Sequence, residues 1–150
     1  MFKILVDADS SPVKLEVYRV AQRYGVKVIL VANSAINVPP EDWIEVRVVS
    51  NHPDAADDWI VENVDKNDIV ITGDIPLASR SLKKEARVLS PYGVVFTENS
   101  IGDTMATRDL MTHLRDIGLP TGGPPSFDKK YRSHFLQALD RLIQAIHNGK

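Results

Sequence analysis

Residues 1–12 read MFKILVDADSSP, a short apolar run that leads directly into two carboxylates separated by one alanine. The run predicts a strand over residues 1–6, and strand alternation places Asp7 and Asp9 on the same side. Two like charges this close repel each other unless a cation lies between them. The stretch therefore raises the question of whether these acids hold a metal ion, face an Arg or Lys side chain, or meet only water.

Outward from this stretch, segments typical of strands and helices alternate along the chain. Ser10 or Ser11 can cap a first helix ahead of Pro12, and Gly25 can end it in a left-handed conformation. Further strands are predicted at 26–32, 45–49, 68–72, 86–89 and 93–97, and further helices at 55–64, from 75 onward, at 101–117, and after Asp128. This order predicts a three-layer α/β/α fold with a largely parallel central sheet, in one domain that spans residues 1–150.

The composition limits the possible classes of function. Apolar residues make up 43% of the chain, as in ordinary globular proteins, and the formal net charge of −2 gives the whole molecule no electrostatic attraction to nucleic acid, although a local basic face remains open. The absence of cysteine excludes a disulfide, a zinc–thiolate site and a cysteine nucleophile. Because no apolar run is long enough for a membrane span and the N-terminus lacks a signal-peptide pattern, we expect a cytoplasmic protein that does not enter a membrane.

Carboxylates follow predicted strand ends or open a helix at three distant points of the chain. Asp7 and Asp9 follow the first strand, Asp74 follows another, and Asp57 and Asp58 lie in the first turn of a helix. Each has an ordinary explanation alone, since an acid after a strand often caps a helix and an acid at a helix start suits its dipole. In an open α/β sheet, however, the carboxyl ends of the strands form one ligand crevice. We therefore expect three or four of these carboxylates to converge.

Carboxylate oxygens without nitrogen or sulfur ligands suit Mg²⁺ or Mn²⁺. We expect Asp7, Asp57 and Asp74 to be the main ligands, with Asp9 and Asp58 in supporting positions. Two such ions about 4 Å apart can activate water and stabilise the leaving oxygen of a phosphodiester. The residues that we expect to contact such a substrate are Arg80, Lys83, Arg108 and the backbone amides of Gly122 and Gly123.

This combination of acids resembles the PIN-domain nucleases. The corresponding parts are the strand-end Asp7, Asp57 within AADDWI, and Asp74 within ITGDIPLA. The resemblance implies a PIN-like fold, a catalytic role for these three acids, and RNA or another nucleic acid as the substrate.

The chain also resembles, more closely, the YaiI/YqxD family of uncharacterised bacterial proteins. The residues that carry this resemblance are VDADSSP at 6–12, ADDWIV at 56–61, ITGDIPLA at 71–78, TRDLM at 107–111 and TGGPP at 121–125. Where the family usually has a cysteine before the proline of the first motif, this chain has Ser11, so no role for a thiol carries over. The resemblance implies a PIN-like fold without indicating a substrate.

Two other classes of function remain open. In a phosphatase of the haloacid-dehalogenase type, a strand-end D-x-D supplies a nucleophile and an acid, here Asp7 and Asp9. The second acid expected four residues after Asp74 is absent, because Ala78 occupies that position. The other class is a non-catalytic module that binds RNA or a protein on the same scaffold. Such a module would tolerate Asp7→Asn, whereas a metal-dependent nuclease would not.

Overall fold

The fold was examined in a computed structural model, which describes residues 2–52, 54–101 and 129–149. Its strands are β1 (Lys3–Asp7), β2 (Lys27–Ala32), β3 (Ile44–Val48), β4 (Ile69–Ile71), β5 (Arg87–Leu89) and β6 (Val95–Phe96). Its helices are α1 (Lys14–Tyr24), α2 (Ala55–Asn63), α3 (Ile75–Lys83), the short α4 (Glu98–Ile101) and α5 (Lys129–His147), and a 3₁₀ turn occupies Ala8–Ser10.

The strands form one sheet in the order β3-β2-β1-β4-β5-β6. The strands from β3 to β5 are parallel, and β6 runs antiparallel to β5 at the edge. The central strands are buried on both faces, which is why their sequences are continuous apolar runs rather than alternating patterns. Since β1 and β4 are neighbours, the residues that follow them lie at the same edge of the sheet.

Helices cover both faces of the sheet, so the predicted three-layer α/β/α fold with a largely parallel sheet is confirmed. Ile4 and Val6 of β1 belong to the core beneath α1 and α5, whereas Leu5 belongs to the core beneath α2 and α3. Because successive strand residues point to opposite faces, Asp7 at the end of β1 is directed toward the layer of α2 and α3.

The start of α1 differs from the prediction that a serine caps it. The N-cap is Val13, and no side chain caps this helix. The hydroxyl of Ser10 instead donates to Asp7 Oδ2 at 2.8 Å, and that of Ser11 donates to the carbonyl oxygen of Ile71 at 3.3 Å. The capping preference therefore gives way to a local hydrogen bond that orients Asp7 and to a tertiary one that ties the chain after β1 to β4.

Several predictions concern residues outside the described ranges. They are most of the helix predicted over 101–117, the cap at Asp128, and the contacts of Arg108, Gly122 and Gly123 with substrate. The last helix is described from Lys129 onward, and its Phe135, Leu139 and Leu142 are buried. Among the described helices, none has the length and apolar character that a membrane span requires.

Candidate functional site

Asp7 is the buried centre of the candidate site. Its side chain is only 7% exposed, yet Oδ2 accepts hydrogen bonds from Ser10 Oγ at 2.8 Å and from Thr72 Oγ1 at 2.9 Å. Burial raises the pKa of Asp7, the two hydroxyl groups lower it, and the charges of Asp74 and Asp9 raise it again, with a net increase. The site thus contains a carboxylate that is both buried and crowded by negative charge.

Thr72 connects Asp7 with Asp74. Its Oγ1 accepts the backbone N–H of Asp74 at 3.0 Å while it lies 2.9 Å from Asp7 Oδ2. Since the amide can only donate, the single hydroxyl proton of Thr72 points to Asp7. Oδ2 therefore acts as an acceptor for two hydroxyl groups, and no described residue occupies Oδ1, which remains available to a ligand.

Asp74 has the structural role that its position after a strand suggests. It is the N-cap of α3, and its Oδ1 accepts the backbone N–H of Leu77 at 2.9 Å. The cap uses one carboxylate oxygen and leaves Oδ2 without a hydrogen bond from any described residue. The capping function and a ligand function therefore use different atoms of Asp74.

Asp57 enters the site from the other side, in the first turn of α2. Its pKa is raised to about 6, first by burial and then by the charges of Asp74, Asp7 and Asp54, while Arg80 lowers it. No described side chain or amide donates a hydrogen bond to this carboxylate. The charge of Asp74 raises the pKa of both Asp57 and Asp7, and the charge of Asp7 also raises that of Asp57, so these three acids from separate segments form one electrostatic cluster.

Asp9 does not share the side of Asp7 through strand alternation. β1 ends at Asp7 and the chain enters a 3₁₀ turn, so the expected alternation is wrong at this position. Asp9 is exposed and its Oδ2 accepts the backbone N–H of Asn33 at 3.1 Å. Its charge still raises the pKa of Asp7, so Asp9 lies at the margin of the cluster.

Arg80 and Lys83 are the predicted substrate-binding side chains that lie in the described ranges, and of these Arg80 lies near the carboxylate cluster. Its Nη1 forms an ion pair of 2.9 Å with Asp58 Oδ1, and its charge acts on Asp57. Asp58 therefore pairs with Arg80 and is not among the carboxylates whose charges raise the pKa of Asp7. Lys83 lies in the last turn of α3, at the end of the helix opposite Asp74 and about 13 Å along its axis.

The donor atoms of the cluster suit a hard divalent cation, because they are carboxylate oxygens with hydroxyl groups behind them. Asp7 Oδ1, Asp74 Oδ2 and the carboxylate of Asp57 are the oxygens left for such an ion by the hydrogen bonds above. Within the described ranges, no three His, Asp or Glu side chains converge closely enough to hold a metal ion as they stand. The donor atoms thus fit the cation by their chemistry, but the side chains would have to move closer together to bind it.

Thr72 and Ser10 are the site residues that the sequence did not single out. Thr72 lies in the ITGD motif, two positions before Asp74. This spacing is the feature of the sequence that could have identified Thr72 as a residue linking the ends of two strands. Ser10 carried a misleading signal, since it was expected to cap a helix and instead orients Asp7.

Comparison with known proteins agrees with the resemblance found in the sequence. Residues 5–145 match the model of a family described as "Uncharacterized BCR, YaiI/YqxD family". The chain belongs to this family. The matched span of this YaiI/YqxD protein contains Asp7, Asp57 and Asp74.

Similar proteins occur in several bacteria, and each is named only as a UPF0178 protein. One from Paramagnetospirillum magneticum is 54% identical over 143 residues, which cover 95% of each chain. One from Nitrobacter winogradskyi is 55% identical over 147 residues, which cover 98% of this chain and 94% of the relative. One from Brucella ovis is 54% identical over 141 residues, which cover 93% and 88%. These names state no activity for the YaiI/YqxD family.

Proposed function

We propose that this protein is a PIN-like, metal-dependent phosphodiester hydrolase that acts on RNA in the cytoplasm. The observation that carries the proposal is the electrostatic cluster of Asp7, Asp57 and Asp74, which three separate segments bring to the carboxyl ends of β1 and β4. Negative charges gathered in this way repel one another, and a divalent cation is the ligand that relieves this repulsion.

In this proposal, the acidic residues and the hydroxyl groups have separate roles. Asp7, Asp57 and Asp74 would hold Mg²⁺ or Mn²⁺, with Asp9 at the margin. The bound cation would supply an activated water and compensate charge on the phosphoryl oxygens. Ser10 and Thr72 keep Asp7 Oδ2 as an acceptor, and no described residue donates a hydrogen bond to Oδ1.

On the side of α3, Arg80 is the described basic side chain whose charge acts on the carboxylate cluster. It is 44% exposed and its ion pair with Asp58 is exposed as well, so a phosphate can compete for the guanidinium at little cost. We assign Arg80 the role of binding the phosphate of the substrate. Lys83 would contact only a more distant part of the same strand of nucleic acid.

The phosphatase alternative loses support in the structure. Ala78, where the haloacid-dehalogenase pattern expects a second acid, is completely buried in the core beneath α3. Its side chain cannot be part of a polar site. A non-catalytic module with the same acidic cluster remains the competing explanation, and the experiment below separates the two.

The proposal is tested by calorimetric titration of Mn²⁺ and Mg²⁺ into metal-free protein, followed by hydrolysis of bis(p-nitrophenyl) phosphate and of a single-stranded RNA oligonucleotide. We expect saturable binding and metal-dependent cleavage by the wild type, both lost in Asp7→Asn. Asp65→Asn is the matched control, because Asp65 is an exposed acid beside Lys3, at the opposite end of β1.

Three outcomes are decisive. Metal binding without cleavage of either substrate would favour the binding module. Full activity in a double variant, Asp7→Asn with Asp74→Asn, would overturn the hydrolase mechanism. Hydrolysis of p-nitrophenyl phosphate with no action on either diester would favour a phosphatase.

A further inference from the structure

Arg47 lies level with Asp7 across the sheet. Asp7 is the register partner of Val31 on β2, and Val31 is in turn the partner of Arg47 on β3. Residues in one such row point to the same face, so Arg47 shares the face of Asp7 that α2 covers. The two Cα atoms are two strand spacings apart, about 10 Å.

The side chain of Arg47 is held by Trp59. The guanidinium carbon lies 5.5 Å from the centre of the Trp59 ring, the geometry of a cation–π contact. Trp59 is anchored in turn, because it packs against the core beneath α2 and follows Asp57 and Asp58 in that helix. The guanidinium of an arginine on an edge strand is thus held against a residue that lies two positions after Asp57 in α2.

The charge of Arg47 remains accessible. The side chain is 50% exposed, and its one ion pair among the described residues, with Glu45 at 3.4 Å, is exposed and long. Such pairs exchange readily for a stronger anion. A guanidinium fixed on an aromatic ring offers a planar donor set that matches a phosphate.

The geometry points to Arg47, clamped on Trp59, as a binding residue for a backbone phosphate of a polynucleotide whose scissile phosphate lies at Asp7, Asp57 and Asp74. This inference rests on the proposed function and deepens it. Because the Cα atoms of Arg47 and Asp7 are about 10 Å apart, a polynucleotide can place one phosphate at the carboxylates and a neighbouring phosphate at Arg47. Arg80 on the side of α3 and Arg47 on the side of β3 then flank Asp57, which gives the strand a path along the ends of the sheet.

The test is fluorescence anisotropy of a labelled single-stranded oligouridylate with the full-length chain, in EDTA and again in Mn²⁺, across a series of salt concentrations. We expect Arg47→Gln to weaken binding about five-fold or more at low salt and to reduce the slope of log K against log salt by about 0.7, the value for one lost phosphate contact on a single strand. Trp59→Leu should weaken binding in the same direction, and Trp59→Phe should retain most of it. Unfolding curves of each variant show whether it is folded.

Arg23→Gln is the matched control. Arg23 is 58% exposed and pairs with Asp140, at 2.8 Å, but it lies in α1, which covers the face of the sheet opposite to that of Asp7. It should leave both affinity and salt slope unchanged. Hydrolysis gives a second readout: Arg47→Gln should raise KM for the oligonucleotide by a larger factor than KM for bis(p-nitrophenyl) phosphate.

Wild-type affinity and salt slope in Arg47→Gln would overturn the inference, and so would failure of the wild type to bind the oligonucleotide in either condition. Binding that depends on Arg47 without any cleavage would support the inference and contradict the hydrolase. Cleavage that does not depend on Arg47 would contradict the inference alone. The two proposals can therefore fail separately.

Discussion

Thr72 Oγ1 lies 2.9 Å from Asp7 Oδ2 and joins the carboxyl ends of the neighbouring strands β1 and β4. The same oxygen accepts the backbone N–H of Asp74, so one buried hydroxyl group orients one acid and anchors the backbone of another. Through these two contacts, Thr72 couples the geometry of the candidate site to the pairing of β1 with β4.

Replacing Thr72 with valine should therefore destabilise the protein. The substitution keeps the shape but leaves Asp7 Oδ2 with one donor fewer and the amide of Asp74 without its acceptor. We expect the free energy of unfolding to fall by about 1–3 kcal/mol, the usual cost of unsatisfied buried polar groups. Urea denaturation measures this loss. Thr72→Ser, which retains the hydroxyl group, should lose less, and equal losses in the two variants would show that the hydrogen bonds do not matter.

The two roles of Asp74 can be separated by two substitutions. Asparagine can still accept the backbone N–H of Leu77, whereas alanine cannot, and both remove the charge. We expect Asp74→Asn to be at least as stable as the wild type because repulsion within the cluster is relieved. Asp74→Ala should be about 1 kcal/mol less stable than Asp74→Asn, the typical contribution of an N-cap. Both variants should lose Mn²⁺ binding, and retention of that binding by Asp74→Asn would remove Asp74 from the ligand set.

The raised pKa of Asp57 predicts an unusual dependence of stability on pH. Its pKa is about 6 in the native state against an ordinary value of 3.8, so between these values the native protein binds the proton more tightly than the unfolded chain. The stabilising contribution is complete below 3.8 and is lost as the pH rises through about 6. For this partly exposed side chain we expect a loss of about 1 kcal/mol after allowance for solvent screening.

The measurement is the difference in unfolding free energy between Asp57→Asn and the wild type at a series of pH values. The variant should gain relative stability as the pH rises from 4.5 toward 7.5, roughly the range in which Asp57 loses its proton. Asp58→Asn is the control, since Asp58 forms the ion pair with Arg80 and should show no such gain. A difference that is constant with pH would mean that neither burial nor the neighbouring charges raise the pKa of Asp57 in the folded protein.

The order of strands and helices could be predicted from the sequence, because each buried parallel strand is an uninterrupted apolar run with well-defined ends. Gly25, with a φ of 68°, ends α1 as a left-handed residue, as predicted. The failure at Ser10 and Ser11 has a physical reason: both hydroxyl groups find partners that are distant or buried, and a local capping rule contains no information about them. The antiparallel direction of β6 likewise depends on the sheet rather than on its two residues.

The candidate site was predictable to the extent that it follows from topology. Asp7 and Asp74 end neighbouring parallel strands, and the first turn of α2 begins at the same edge, so their meeting could be expected. Arg47 could not be found in this way. Its position depends on the register between β1, β2 and β3, and no pattern in the sequence specifies which residue of β3 lies level with Asp7.

A last prediction concerns the opposite end of the sheet, where Asp68 is almost completely buried. Its carboxylate accepts the Lys3 backbone N–H at 3.0 Å, Lys3 Nζ at 2.6 Å and the Asp65 backbone N–H at 2.8 Å. Asp68→Asn removes the charge of the buried carboxylate of the two that pair with Lys3, which is itself only 22% exposed. We expect a loss of about 3 kcal/mol in the free energy of unfolding, as for other broken buried pairs.

The neighbouring Asp65 provides the comparison for this prediction. It also pairs with Lys3 Nζ, at 3.0 Å, but is 81% exposed, so Asp65→Asn should cost no more than about 0.5 kcal/mol. Because β1 separates Lys3 from Asp7, both variants should bind Mn²⁺ as the wild type does, per folded molecule, in the calorimetric titration. A folded Asp68→Asn protein that no longer binds Mn²⁺ would show that the carboxylate cluster depends on the far end of the sheet. Equal destabilisation by the two substitutions would show that burial does not set the strength of the Asp68 contact.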